Sequence, residues 1–412
     1  MRADAQIEDM EPARCVAVTG VGVVSPIGFG REQFWSTLAA GRSGIAPIEG
    51  ITMSTPLPTV AAQVRGFAAR EFITSPNLRR MGPLARMVVA AARMALDDTH
   101  LNVRRIAADR LGVVIGCALG NVSEAAVHLE KVFIKGPGLA SPMIFPNLVH
   151  NVPASCVAME VGATGVNLTV AQAEVSGEEA VSLGAEMIRS GRADVVLAGG
   201  GDEIAPIVAE TCFRGRVLSG QHGGPEWCSP YDRLRNGLVL GEGAAVLVLE
   251  SLEHARGRGA TVLAEIEATR SFAVPAPMYD WPADAPAAVE PLRRLIASID
   301  VELIVGSANA SRRIDACEIG LFSRLSSGAV VTSIKGAIGE FGAAGALSVA
   351  AACLAVREQS VPPLCHLQAP DPVLGSRLAA RTGVPARLDR VLVCGLARGG
   401  AVAGLLLRRP VR

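Results

Sequence analysis

Long unbroken apolar runs, more than alternating ones, set the pattern of this chain. "CVAVTGVGVVSPIG" (15–28) reads as a buried strand entering a Gly/Pro loop. "LGVVIGCALGN" (111–121) and "ADVVLAGGGDE" (193–203) read as buried strands that end in glycines, and "GAAVLVLESLEHARGRGA" (243–260) as a strand followed by a helix start. "LARMVVAAARMALDDTHL" (84–101) places small and apolar residues at helical spacing. The second half repeats the pattern more loosely. "TVLAEIEATRSFA" and "ELIVGSANAS" are strands, "GAAGALSVAAACLAVRE" is a buried small-residue helix, and "RVLVCGLARGG" with "AVAGLLLRR" forms a closing hairpin. The Pro- and Ala-rich stretch from Ser271 to Pro286 is expected to be a surface loop. Strands alternating with helices predict a layered α/β fold.

One stretch stands apart. "VAQAEVSGEEA" (170–180) starts like a strand, passes a Ser-Gly pair and continues like a helix. The spacing predicts a sharp strand-to-helix turn with Glu174 at its tip. Ser176 and Glu179 have the S-x-x-E spacing of a capping box for that helix.

Composition narrows the classes. The chain has 412 residues, half of them hydrophobic, which is enough for a large core. Lys+Arg and Asp+Glu are both 39, so no net basic field points to nucleic acid or to an anionic membrane. Nine cysteines without C-x-x-C pairs or histidine partners read as reduced, mostly buried thiols, and no metal site is expected. No apolar run reaches the roughly 20 residues a membrane span needs. The N-terminal "MRADAQIEDMEPAR" lacks the basic and apolar regions of a signal peptide, so a soluble cytoplasmic protein is expected, with a disordered tail over 1–13.

The motifs together resemble the β-ketoacyl synthase branch of the thiolase superfamily, over most of the chain from Arg14 to Arg409. "VAVTGVGVVSPIG" is similar to the family's opening strand and loop. "PYDRLRNGLVLGEGAAVLVLE" resembles P-[WF]-D-x-x-R-x-G-x-x-x-G-E-G-A, the most specific match. "SIKGAIGEFGAAG" resembles S-x-K-x-x-x-G-H-x-x-G-A-A-G, and "GLARGGAVAGLLLRR" the glycine-rich last turn and strand. The resemblance implies a thiolase fold: two similar α/β halves in five αβαβα layers, here 14–255 and 256–412, in a dimer.

The same resemblance implies a cysteine nucleophile and two histidines, and all three positions differ. Glu174 stands at the cysteine position of "AEVSG", Ser307 at the first histidine in "GSANASRRIDACE", and Glu340 at the second in "KGAIGEFGAAG". Asp315, Glu318 and Lys335 keep their motif places, and Arg398 takes that of a gating Phe. Cys156, in "NVPASCVAMEVG", mimics a nucleophile motif but precedes the turn and reads as a structural or interface thiol. Cys117, Cys353 and Cys394 read the same way. No histidine falls at a catalytic motif position, and His150 reads as structural or as a subunit contact. Glu174 either plugs a disused acyl pocket, held by turn amides or by an arginine such as Arg398, or imitates a substrate charge and shapes a partner's site.

An inactive branch of the family exists, and this chain resembles it: chain length factors of type II polyketide synthases. The resemblance implies a non-catalytic subunit without independent condensing activity. It would pair with an active ketosynthase through the strand "GVNLTVAQA" and help set the length of acyl chains carried on the phosphopantetheine of acyl carrier protein, with no bound cofactor. Aromatic systems often carry Gln at the turn, so Glu174 leaves reducing and polyene-forming pathways open. Phe133 and Ile134, in "KVFIKGPGLASPM", are the chain-length candidates, with core packing as the alternative. Two other functions stay open: a malonyl-ACP decarboxylase supplying starter units, disfavoured by Ser307 and Glu340, and a lone pseudo-ketosynthase using Glu174 and Glu340 as acid and base.

Overall fold

The computed structural model describes residues 14–51, 59–73, 76–297, 300–379 and 384–411, so the tail expected over 1–13 lies outside the described residues. The apolar runs of the first half become β1 (Val16–Ser25), β2 (Leu111–Gly116), β3 (Asn167–Val170), β4 (Val195–Asp202) and β5 (Gly243–Ser251). All but β3 are buried along their whole length, as strands covered on both faces must be. The second half supplies β6 (Ala264–Ala273), β7 (Leu303–Val305), β8 (Val330–Thr332), β9 (Arg390–Leu396) and β10 (Ala401–Arg408).

The two halves repeat one topology. Strand order is β3-β2-β4-β5-β1 in the first and β8-β7-β9-β10-β6 in the second. In each, the first strand is innermost and the third is the outer edge. The halves join where β1 runs antiparallel to β6, with Val16, Ala17 and Val18 opposite Ile266, Glu265 and Ala264.

Helices complete the layers. In chain order they are α1 (Pro83–Asp98), α2 (Val122–Lys135), α3 (Val152–Val161), α4 (Ser176–Arg189), α5 (Pro206–Arg214), α6 (Pro286–Ile296), α7 (Arg312–Leu325) and α8 (Gly345–Glu358). α4 and α8 pack on each other and on strands of both halves. α8 is buried at every residue from Gly345 to Val356, which only a helix of small and apolar residues permits. α1 and α3 cover the outer face of one half, and α6 and α7 that of the other. This is the five-layered thiolase fold.

Two local expectations change. The capping box does not form: Ser176 Oγ accepts from the Gln172 N–H (2.8 Å) and donates to the Ala173 carbonyl (2.7 Å), which ties the turn itself. Glu179 instead accepts from Ser271 of β6 at 2.5 Å. The stretch from Ser271 is also not all surface loop. β6 continues to Ala273, and Val274, Trp281 and Ala285 are buried.

Candidate functional site

The chain leaves β3, turns sharply at Ala173, whose φ is 48°, and enters α4. A positive φ at a non-glycine residue marks a strained turn. Glu174 sits at its tip and is buried. The turn between β9 and β10 meets it. Arg398 donates its backbone N–H to Glu174 Oε2 (3.0 Å) and its Nε to Oε1 (2.6 Å), and a terminal nitrogen of its guanidinium pairs with Oε1 as well. Behind the pair, the guanidinium carbon lies 5.0 Å from the centre of the Trp281 ring, a cation–π distance. Burial opposes the Arg398 charge, but Glu174 more than offsets it and raises its pKa. Of the two holders expected for Glu174, the structure places the arginine, together with that arginine's own backbone amide.

The second and third positions are also filled by satisfied groups. Ser307 donates from its N–H (2.8 Å) and its Oγ (2.7 Å) to Glu318 Oε1. Glu318 Oε2 accepts from the Ala308 N–H (2.8 Å) and from Tyr231 OH (2.6 Å), and the Leu396 N–H donates to Ser307 Oγ at 3.0 Å. Asp315 receives the N–H groups of Tyr231, Asn309 and Ala310, yet burial pushes its carboxyl up to about 7. Glu340 is gripped by Lys335 Nζ at 3.0 and 2.7 Å and by Asn309 Nδ2 at 2.6 Å. Burial pulls the Lys335 ammonium down, but Glu340 more than offsets this and holds it above its usual value.

A further carboxylate lies close by. Glu178 projects from the first turn of α4 into the space left by two glycines: a Cβ on Gly345 or Gly395 would land on its carboxyl group. Its Oε2 has no partner among the described residues. Burial pushes its pKa up to about 7, Glu179 and Glu340 add to the push, and Lys335 opposes it.

Glu174, Glu340 and Arg398 line one cavity of about 360 Å³. Ser307 and Glu318 lie outside its lining, fixed beneath β9. Among the described residues that line the cavity there is no histidine and one thiol, Cys212, whose pKa is raised by burial. Both Glu174 oxygens are occupied by Arg398, and both Glu340 oxygens by Lys335. The arrangement therefore offers no thiolate, no imidazole and no uncommitted base. Phe133 and Ile134 are elsewhere, on α2, with relative exposures of 82% and 72%, which excludes core packing within this chain. Cys156 is buried on α3 with its thiol pushed up to about 11, first by burial and then by Glu124 and Glu160. Among the described residues, no group of three His, Cys, Asp or Glu is placed to hold a metal ion, and no helix is long and apolar enough to cross a membrane.

Sequence reasoning missed Trp281, Asn309 and Glu178. Asn309 lies inside a motif already aligned, and only its pairing with Glu340 was not visible. Glu178 precedes Glu179, which has the capping-box spacing, and has no motif position of its own. Trp281 carried no signal within its Pro/Ala-rich stretch.

The fold and this site together define a ketosynthase-like protein, and comparison with known proteins agrees. The family pattern "Beta-ketoacyl synthase, N-terminal domain" matches residues 13–255, and "Beta-ketoacyl synthase, C-terminal domain" matches residues 287–368. The chain belongs to the β-ketoacyl synthase family. It is 33% identical to a granaticin polyketide putative β-ketoacyl synthase 1 of Streptomyces violaceoruber, over 96% of this chain and 99% of that protein. It is 32% identical to the tetracenomycin polyketide synthase ketoacyl synthase alpha subunit of Streptomyces glaucescens (96% and 97%), and 30% identical to a 3-oxoacyl-[acyl-carrier-protein] synthase 2 of Coxiella burnetii (96% and 99%). Among solved structures, "The ishigamide ketosynthase/chain length factor" superposes with a TM-score of 0.90 at 28% identity, covering 97% of this chain and all of that one. A type II acyl carrier protein in complex with its ketosynthase bound to the hexaketide matches at 0.85 and 26%, with the same coverage.

Two outcomes follow from the buried charges. Lys335→Met leaves Glu340 unpaired and is expected to cost ~3–5 kcal/mol in chemical denaturation, while Lys335→Met combined with Glu340→Gln recovers most of the loss. The Glu178 carboxyl is raised, so the folded state holds its proton where the unfolded chain has lost it. Its contribution is fully present below pH ~4.5 and is lost as pH rises to ~7. Glu178→Gln should match the wild type near pH 4.5 and exceed it above pH 7 by up to ~3 kcal/mol. Asp202 and Asp315 keep their own, same-signed share in both proteins. Denaturation midpoints across pH check this.

Proposed function

We propose that this chain is a chain length factor, the non-catalytic subunit that pairs with an active ketosynthase in a type II polyketide pathway and helps set the length of chains borne by acyl carrier protein. One observation carries the reading: all three positions at which the family places its cysteine and histidines hold side chains already committed to neighbours, Glu174 to Arg398, Ser307 to Glu318 and Glu340 to Lys335. A starter-forming decarboxylase is the weaker reading, because a buried carboxylate at 340 repels both a malonyl carboxylate and the enolate it would leave.

The surface supports a partner. α2 and the segment after it expose Val127, Phe133, Ile134, Leu139, Met143 and Phe145, a large apolar stretch that isolated soluble proteins rarely leave uncovered. Among the described residues β3 is an edge strand paired on one side, with β2, which leaves its other edge for a second strand. A subunit pair formed there would bury well over roughly 2,000 Å², as obligate pairs do.

The pure chain, and its Glu174→Cys variant, are expected to form no carbon–carbon bond from malonyl- and acyl-carrier protein. Co-expression with the ketosynthase of its own pathway should give a stable heterodimer by light scattering coupled to size exclusion. Condensing activity of the isolated chain, or a monomer that ignores that ketosynthase, would overturn the reading. In the reconstituted pair, Phe133→Ala should lengthen the carrier-bound products seen by mass spectrometry while the dimer stays intact. An unchanged length distribution in an active pair removes Phe133 from the tunnel wall.

A further inference from the structure

α2 lies on the surface, and its inner side is marked by His128, the buried residue of the helix. A helix turns about 100° per residue, so Glu130 falls almost opposite His128, about 160° away. It stands in the middle of the outer face. Residues three and four positions apart are neighbours on a helix surface. For Glu130 these are Ala126, Val127, Phe133 and Ile134, and all four are apolar. Val127, Phe133 and Ile134 are 51%, 82% and 72% exposed, and Glu130 is exposed among them.

No cation serves this carboxylate: Glu130 has no ion pair among the described residues. Lys131 is its neighbour in sequence, but adjacent residues on a helix do not face each other. Lys131 and Lys135 lie round the flank, one turn apart, exposed and also without an ion pair among the described residues. The face therefore carries an acid ringed by apolar side chains and two ammonium groups at its margin.

That pattern restricts what can cover it. A purely apolar surface would take the Glu130 carboxylate out of water without a counter-ion, which is costly. A second copy of this chain fares no better. Two-fold pairing lays the same patch on itself, so groups at its centre meet their own copies. Carboxylate would then face carboxylate, while the lysines stay at the flank. A charge set into an apolar surface is a known way of opposing unwanted pairing. A different chain that brings a cation to the centre resolves the conflict, and the apolar ring around it excludes water from the pair.

We propose that Glu130 decides which partner this face accepts: it opposes self-pairing and admits a chain that presents an arginine or lysine to it, with acidic groups toward Lys131 and Lys135. The proposal rests on the chain-length-factor reading for that partner being a ketosynthase, though not for the bar to self-pairing.

Sedimentation of the full chain alone reads the bar. Glu130→Leu and Glu130→Met both keep a good helix former on an exposed helix surface. Each should tighten self-association by at least about tenfold over the wild type, with unchanged circular dichroism, because the charge no longer has to be buried. Glu130→Lys, which leaves a charge in the patch, should not. A wild-type chain that is already a stable dimer overturns the proposal, as do folded Leu and Met variants that associate no more than the wild type. Titration with the ketosynthase of its own pathway reads the partner's cation. Glu130→Gln should weaken that pair about tenfold and Glu130→Lys at least about a hundredfold, since the partner's buried cation loses its counter-ion or meets a like charge. Wild-type affinity in Glu130→Lys overturns the proposal while leaving the chain-length-factor reading standing. If the ketosynthase binds neither wild type nor variants, that reading falls, and sedimentation still decides the role of Glu130.

Discussion

Lys335 is the point on which the site turns. Its ammonium is buried in a region that also holds Glu340, Glu178 and Glu174, and an isolated ion there would be untenable. With Glu340 in bidentate contact it stays charged, and its field lowers the cost of burying Glu178 nearby. Arg398 does the same for Glu174. Three carboxylates against two cations leave one negative charge in excess, and burial raises the proton affinity of Glu178, whose Oε2 has no partner among the described residues. Where the family resemblance implies imidazoles the site holds Ser307 and Glu340, and the two ion pairs, Lys335 with Glu340 and Arg398 with Glu174, are arrangements in which neither partner can be removed alone without cost.

That arrangement also joins the two halves of the fold. Glu174, Glu178 and Asp202 come from the first half, while Lys335, Glu340 and Arg398 come from the second. Arg398 to Glu174, and the Ala343 N–H to Asp202, both cross between them. The direct strand contact between halves is short, only three residue pairs of β1 and β6. The α4–α8 layer and the polar contacts at its end therefore fix how the sheets sit on one another.

Much of this was readable in the sequence because it rests on local rules. Short unbroken apolar runs bounded by glycines or turn residues read as strands covered on both faces, and they fell where β1, β2, β4, β5, β9 and β10 stand. The sharp turn before Glu174 showed as a strand pattern giving way to a helix pattern within a few residues. What escaped was set by groups far apart in the chain. Glu179 sits at capping-box spacing, but Ser271, 92 positions away, takes its carboxylate. Trp281 lies in a segment whose composition says loop, yet it is buried in the main apolar core, with the guanidinium of Arg398, far along the chain, over its ring. Phe133 and Ile134 follow the same logic in reverse. Their size says core, and their exposure comes from a helix face that this chain alone does not cover.

Ion pairs of this kind are a poor means of gaining stability, since apolar residues of similar volume often do as well or better. Their use here points to what apolar replacements would not provide. A leucine at 174 would have no reason to hold the turn after β9 in one place, whereas Glu174 takes both the backbone N–H and the guanidinium of Arg398 and so sets the position of that turn and, through Trp281, of the segment beyond it. A leucine at 340 would leave Lys335 without a counter-ion and remove the anchor of Asn309. These contacts hold Glu174 and Glu340 in fixed places in the lining of the cavity.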